Sequence, residues 1–198
     1  YPIEEDERGT YILNSRDLCM IEYIPELAES GIASIKIEGR MKSVFYVATI
    51  VSAYRKAIDA YYADPENYRF KEEWMTELKK VSHREFTTGF YFDKPTNKDQ
   101  NYQTSAYTRD YTFTGLVKSY DSKTGYAVVE QRNKMVTGDE IEVFGPGTDF
   151  FVQNLTEMYN EEGEPIEAAP HPQQILKIKM DKPVKENFML RKKKEKGN

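Results

Sequence analysis

The sequence predicts a chain in two parts, an α/β region followed by an all-β region. Three observations carry this. A short alternating stretch runs into a glycine corner at Lys36-Ile37-Glu38-Gly39-Arg40-Met41-Lys42-Ser43. Apolar residues then recur at helical spacing from Val44 to Tyr62. From Tyr111 onward the apolar period changes to two, the period of a strand with one face buried.

With 198 residues the chain is long enough for one large or two small domains. Its 39% hydrophobic content, rich in tyrosine, can fill a core. A net charge of −5 argues against nucleic-acid affinity driven by the field of the whole molecule, while leaving a local basic patch open. Cys19 is the only cysteine, which excludes an internal disulfide or a multi-cysteine metal site within these residues and fits a reducing cytoplasm. No stretch has the length and apolarity of a membrane span, and no signal peptide is recognisable. A first residue of Tyr1 rather than methionine suggests a piece of a longer protein.

In chain order, Pro2–Thr10 is acidic and is expected to be an irregular loop; Tyr11–Leu13 reads as a short strand. Asn14 or Ser15 should start a helix, with Asp17 in its first turn and Leu18, Ile21, Leu27 and Ala28 facing inward. Pro25 divides that helix in two, and Gly31 caps its end. Ser34–Glu38 is the next expected strand, placing Ile35 and Ile37 on one face and Lys36 and Glu38 on the other. In the helix that follows, Val44, Val47, Ala48, Val51, Tyr54, Ile58 and Tyr61 form the apolar stripe. Phe45, Ile50, Ala53 and Ala57 widen it, so the helix should be largely buried. Residues 11–62 thus read β-α-β-α. Two such units are too few to close a (β/α) barrel, which takes eight. If they are its last units, their cut edges expose strand backbone and apolar helix faces, and self-association is expected.

Asp64–Asn67 reads as a turn and Lys71–Val81 as a short helix with Trp74, Leu78 and Val81 inward. The domain boundaries expected are 1–93 for the α/β part, 94–106 for a polar linker, 107–191 for a small antiparallel β-barrel or sandwich, and 192–198 for a solvated basic tail. Within the β part the expected strands are Tyr111–Ser119, Tyr126–Gln131, Asp139–Phe144, Asp149–Leu155, Ile166–Ala168, Gln174–Met180 and Phe188–Arg191. Most are separated by Gly, Asn, Asp or Pro turns.

The candidate site lies around the glycine corner. Lys36 and Glu38 would face a barrel lumen, and Arg40 and Lys42 would hold an anion on the loop beyond. Glu38 is the candidate catalytic group, either orienting Arg40 or accepting a proton; Asn14, with Ser15 and Asp17, is the candidate second wall. The alternative for Lys36 and Glu38 is a half-buried edge strand with both charges in water. His83 has no recognisable triad partner and no HExxH occurs, which weakens a peptidase reading. In the β part, Tyr107, Tyr111, Phe113, Tyr120 and Tyr126 are candidates for stacking on unpaired bases, with Lys118, Lys123, Arg132 and Lys134 beside them. Core and cross-strand pairing is the alternative for these rings.

Several runs together resemble peptidase family U32. They are Asp6–Cys19; Gly31-Ile32 through Ser34–Ser43, with its specific Ile37–Ser43 motif; Tyr46-Val47-Ala48; Ala53–Ala57; His83-Arg84; Thr88-Gly89-Phe90; and Gln100-Asn101-Tyr102. The resemblance covers the whole chain and is strongest to the family's tRNA-hydroxylating branch. It implies the last βα units of a (β/α) barrel followed by a small β-barrel similar to domain II of a translation elongation factor. It implies hydroxylation of a tRNA wobble uridine with prephenate as hydroxyl source, so tRNA and prephenate are the partners expected. Lys36, Arg40, Lys42 and Asn14 would then bind substrate, and Lys118, Lys134 and Tyr111 would bind RNA. It also implies an iron–sulfur cluster on four cysteines; these are missing here, so no cofactor is expected on these residues and the cluster is expected on polypeptide upstream. The family name implies a collagenase-like peptidase as the alternative, and a non-catalytic binding module is a third.

Overall fold

The computed structural model describes residues 4–7, 9–11, 15–96, 99, 101 and 107–194. The chain divides into two units, Tyr1–Arg109 and Asp110–Asn198.

In the first unit, β1 (Glu4–Asp6) and β2 (Gly9–Tyr11) pair antiparallel, with Glu4 opposite Tyr11 and Asp6 opposite Gly9. This corrects the expected loop: a two-stranded ladder is made by backbone groups and needs no apolar alternation. Ile12 and Leu13 of the expected strand lie outside the described residues. The helix expected from Asn14 or Ser15 is also corrected. Asp17–Leu18 is β3, paired in parallel with β4 (Phe86–Thr87). The Asp17 carboxylate accepts the Arg84 backbone N–H at 2.9 Å instead of capping a helix. Leu18 is correspondingly exposed. The helix starts later, as a 3₁₀ turn at Ile21–Tyr23 leading into α1 (Ile24–Glu29). Pro25 sits in the first turn of α1, where its missing N–H costs nothing. Ile21, Ile24 and Leu27 are buried, and Gly31 follows the helix with φ +76°.

Residues 33–38 run without strand pairing and, apart from half-buried Ile37, are exposed. The expected strand Ser34–Glu38 therefore does not form, because no strand among the described residues lies beside it to complete a ladder. The long helix does form, as α2 (Val44–Ala63), and Ser43 caps it by accepting the Tyr46 N–H at 3.2 Å. Its buried face is Phe45, Thr49, Ile50, Ala53, Ala57 and Tyr61, whereas Val44, Val47, Val51 and Tyr62 are exposed. The expectation of a largely buried helix is thereby corrected. α2 is apolar on two faces, and periodicity alone does not say which one finds a partner. The buried face meets α3 (Glu72–Lys79), whose Trp74, Met75 and Leu78 point inward, with Val81 buried just beyond.

The polar stretch expected as a linker is in part tied down. Asp99 accepts from Thr87 Oγ1 and from the Thr96 N–H, both at 2.8 Å, and its carbonyl accepts the Arg16 N–H at 3.1 Å. Residues 97, 98, 100 and 102–106 lie outside the described residues.

The second unit is a curled antiparallel sheet. Its strands are β5 (Tyr111–Asp121), β6 (Tyr126–Gln131), β7 (Met135–Val136), β8 (Glu140–Phe144), β9 (Phe151–Asn154), β10 (Met158–Tyr159), β11 (Ala168–Ala169), β12 (Ile175–Lys179) and β13 (Met189–Lys193). Seven of them run in the order β10-β12-β6-β5-β13-β8-β9, and β7 pairs with β11 in a separate ladder. The period of two is visible directly in β6, where Ala127, Val129 and Gln131 are buried and Tyr126, Val128 and Glu130 are half-buried. Val117, Val129, Ile141, Val143, Leu176 and Leu190 anchor one continuous core. Gly145 admits no side chain, since a Cβ there would lie 2.1 Å from Phe188 Cδ1.

Two short strands, β7 and β10, escape sequence reading because two residues show no period. The expected basic tail is corrected at its start. β13 continues to Lys193, and Arg191 is fully buried, with Nε and Nη2 each 2.7 Å from Glu142 Oε2. Lys192 pairs with Asp139 at 2.6 Å. Residues 195–198 lie outside the described residues.

Candidate functional site

The first unit contains a cavity of about 590 Å³ whose charged lining comes from Lys36, Glu38, Lys42 and Asp17. Tyr46 and Tyr91 are among its aromatic lining. A second cavity of about 380 Å³ runs along the same extended segment and is mainly apolar, with Val51, Ile58 and Tyr62 of α2 in its wall. Ile35 and Ile37 line both cavities, while Lys36 and Glu38 line only the larger. At the larger cavity residues 35–38 therefore do not divide into two faces, since all four contribute to its lining.

The four groups of the glycine corner have different fates. Lys36 is exposed and has no ion-pair partner among the described residues. Glu38 accepts the Arg40 backbone N–H at 2.9 Å, which closes the corner and orients the carboxylate. Arg40 is exposed and lines neither cavity. Lys42 is the most constrained: its Nζ donates to the Ser82 carbonyl at 3.3 Å and lies 5.1 Å from the Tyr46 ring centroid and 3.8 Å from that of Tyr107. Asn14 lies outside the described residues.

Beneath these groups, the Tyr54 hydroxyl accepts the Met20 N–H at 2.9 Å and faces Cys19 Sγ at 3.8 Å. Burial pushes the Cys19 thiol up and the Tyr54 phenol up, so both are neutral at physiological pH. Burial, followed by the charge of Asp17, also raises Tyr46. A thiol held protonated is a poor nucleophile. His83 is not part of a triad either: its Nδ1 donates to the Val81 carbonyl at 2.8 Å and its ring stacks on Phe86. Nor do the residues fit an iron–sulfur cluster. Cys19 stands alone, and no group of three or more His, Cys, Asp or Glu among the described residues could hold a metal ion.

Sequence reading gave Arg84 and Arg109 no role and offered Tyr107 only as a base-stacking candidate of the β part; Arg84 and Tyr107 lie beside Lys42, and Arg109 reaches the same Ser82. The Arg84 guanidinium lies 4.9 Å from the Tyr107 centroid, and Arg109 Nε donates to Ser82 Oγ at 3.4 Å. A faint signal was present, since Ser82-His83-Arg84 and Tyr107-Thr108-Arg109 are matched alternating triplets that an antiparallel bridge would interleave.

In the second unit Tyr111 and Lys118 lie toward opposite ends of β5. Tyr111 is half-buried, its hydroxyl donating to Glu142 at 3.1 Å and its ring lying 5.6 Å from the Arg191 guanidinium. Lys118 is farther along β5, roughly 23 Å from Tyr111 at ~3.3 Å per residue, and pairs with Glu130 at 3.6 Å. Lys134 is exposed in the turn before β7.

Residues 2–101 match the family described as Peptidase family U32, and residues 109–191 match Peptidase family U32 C-terminal domain. The chain is 44% identical over 187 residues to tRNA hydroxylation protein P1 of Bacillus subtilis (strain 168), an alignment covering 94% of this chain and 44% of that protein. It is 31% identical over 174 residues to a Collagenase of Porphyromonas gingivalis, covering 87% of this chain and 48% of that one. The chain thus spans less than half of either relative. A crystallised C-terminal domain from Geobacillus thermoleovorans is 44% identical, with a TM-score of 0.40, and covers 41% of this chain and 99% of its own.

Proposed function

The chain belongs to peptidase family U32, and on that premise we propose that it is the C-terminal part of an enzyme that hydroxylates the wobble uridine of tRNA. One observation carries the proposal: the 44% identity to the Bacillus subtilis tRNA hydroxylation protein extends over 94% of this chain. Shared ancestry therefore reaches both the cavity-bearing unit and the curled sheet.

In this reading the larger cavity takes the substrate. Lys36 and Lys42 both line it and offer ammonium groups to an anionic substrate, either a carboxylate of prephenate or a phosphate of the tRNA. Lys42 is oriented before any ligand arrives, because a carbonyl and two aromatic rings already hold it; less side-chain entropy is then lost on binding. Glu38 sits beside them as the acid–base candidate, its position set by the Arg40 N–H. Arg40 itself lies off the cavity wall and is better suited to an outer contact. The iron–sulfur cluster is assigned to polypeptide beyond these 198 residues, and no step on these side chains runs through it. The first unit would supply the last βα units of a (β/α) barrel, with neighbouring units covering the exposed face of α2. The curled sheet would act as a β-barrel of the elongation-factor domain II kind, docking RNA through Lys118, Lys134 and Tyr111.

The test is complementation. In a bacterium lacking its own tRNA-hydroxylation genes, the full-length protein should restore hydroxyuridine at the wobble position, read by mass spectrometry of tRNA nucleosides. Unrestored hydroxyuridine from a folded, expressed protein would overturn the reading. The Porphyromonas gingivalis relative named Collagenase supports a second reading, a peptidase. Cleavage of collagen by the purified full-length protein would promote it, although the neutral Cys19 thiol and the carbonyl-bound His83 give it no nucleophile here.

A further inference from the structure

His83 and Thr108 exchange backbone hydrogen bonds as an antiparallel bridge, at 3.2 and 2.9 Å. The bridge sets Ser82 opposite Arg109 and Arg84 opposite Tyr107, and the side chains follow. Arg109 bonds to the Ser82 hydroxyl, Arg84 lies over the Tyr107 ring, and Lys42 bonds to the Ser82 carbonyl while approaching the same ring. Lys42 and Arg84 are each under 5 Å from one ring centroid.

Three cations are thus gathered by neutral groups: the Ser82 carbonyl on Lys42, the Ser15 carbonyl on Arg84 at 3.2 Å, a hydroxyl and an aromatic ring. Among the described residues none of the three has a carboxylate within ion-pair distance. Asp17 takes the Arg84 backbone N–H, and Arg84 Nε is buried without a partner. Lys42 also directly precedes Ser43, the N-cap of the 20-residue helix α2, so the helix's positive end adds to the same field. Like charges held together with no carboxylate in ion-pair contact raise the local potential and favour an anion.

The position of the cluster selects which anion. Lys42 lines the cavity, whereas Arg84, Tyr107 and Arg109 do not, and Tyr107 and Arg109 are exposed. The cations therefore lead from the cavity wall out to the surface. A small dicarboxylate enclosed in the cavity would leave the outer two unused. A nucleotide with its base inside and its phosphate outside would use all three, as enzymes that act on an extruded base require. Resting on the tRNA reading above, we infer that Lys42, Arg84 and Arg109, gathered around Tyr107, hold a backbone phosphate of the RNA strand whose nucleotide enters the neighbouring cavity.

Binding of a fluorescein-labelled tRNA anticodon stem–loop to the 198-residue chain, followed by anisotropy across a salt series, tests this. Arg84→Gln and Arg109→Gln should each weaken binding about tenfold, the scale of one hydrogen bond to a charged group. Each should also flatten the slope of log K against log salt by roughly 0.7–0.9, one phosphate contact's share. Tyr107→Phe should bind as the parent does, and Tyr107→Leu should bind more weakly, because the ring rather than the hydroxyl holds the cations. Arg109 is exposed, so its variant stays informative even where Arg84→Gln perturbs folding. Unchanged affinity and slope in both arginine variants would overturn the inference. If Lys118→Gln with Lys134→Gln weakened binding in that case, docking would lie on the curled sheet and the tRNA reading would stand. A parent chain that binds no RNA at low salt would also overturn the inference, and the hydroxyuridine assay would then judge the tRNA reading by itself.

Discussion

The two units spend their apolar residues differently. In the curled sheet, the inward residues of the long strands share one core, and Ile141, Val143, Leu176 and Leu190 are fully buried. In the first unit, α2 carries two apolar faces and buries one; Val44, Val47 and Val51 on the other are exposed, together with Ile35 of the unpaired segment. A sheet that curls on itself supplies its own partner for every inward stripe. A βα unit does not, because its strand needs a neighbour on each side and its helix needs a sheet to lie on. The unit with unsatisfied surfaces is also the one that holds the charged cavity, so binding chemistry and incomplete packing coincide there.

The sharpest way to break this contrast is the buried ion pair of the second unit. Arg191→Ala leaves Glu142 without its guanidinium and should cost about 3–5 kcal/mol. Trp74, the only tryptophan, lies in the first unit, so its fluorescence transition should stay in place while the circular-dichroism transition of the sheet falls. Joint movement of both transitions would show that the units do not unfold separately. Next come matched truncations. Ile141→Ala should cost about 2–5 kcal/mol in urea unfolding, and Ile35→Ala roughly 1 kcal/mol or less, since its side chain is exposed along open cavity walls rather than in a core. Similar costs at the two positions would mean that residue 35 is packed in solution.

The exposed face of α2 makes a third prediction. At high concentration the parent chain should scatter light as a mixture of associated species, and Val47→Glu with Val51→Lys should shift it to monomer. A monodisperse parent would contradict the account of this face.

The smallest effect compares one aspartate from each unit. Asp99 is held below the usual carboxylate range chiefly by the Thr96 N–H and then by the Thr87 hydroxyl; Asp121 is held low by the Thr124 hydroxyl and then the Lys123 N–H. A carboxyl depressed in the folded state contributes stability above its unfolded value, near 3.9, and loses that contribution as pH falls through the folded value. Asp99→Asn and Asp121→Asn should therefore destabilise slightly at neutral pH, with the difference from the parent vanishing in acid. A difference that persisted below both values would reassign the effect to packing.

Much of the second unit was legible because one physical rule, burial of alternate residues, governs β6, β12 and most of β8; β5 and β13, which carry register shifts, also bury adjacent residues. Lys192 and Lys193 defeated that reading: they begin the run expected as a solvated tail, yet both belong to β13, and Lys192 pairs with Asp139. In the first unit α2 was legible to within a residue at each end, yet its buried face was not. Apolar residues on both sides leave the choice to elements distant in sequence, here α3. The glycine corner suggested Lys36 and Glu38 in a lumen with Arg40 and Lys42 on the loop beyond; Lys36, Glu38 and Lys42 line the larger cavity, and Arg40 does not. It did not announce Arg84, Tyr107 or Arg109, which reach Lys42 only through the bridge between His83 and Thr108.

The most direct measurement is wobble-uridine mass spectrometry on cells whose sole tRNA-hydroxylation protein is the full-length form carrying Lys42→Met, with Lys79→Gln at an exposed position of α3, off both cavities, as the control. The account predicts that hydroxyuridine falls more than tenfold with Lys42→Met and stays at the parent level with Lys79→Gln. Parent-level hydroxyuridine with Lys42→Met would contradict a substrate site at this cavity.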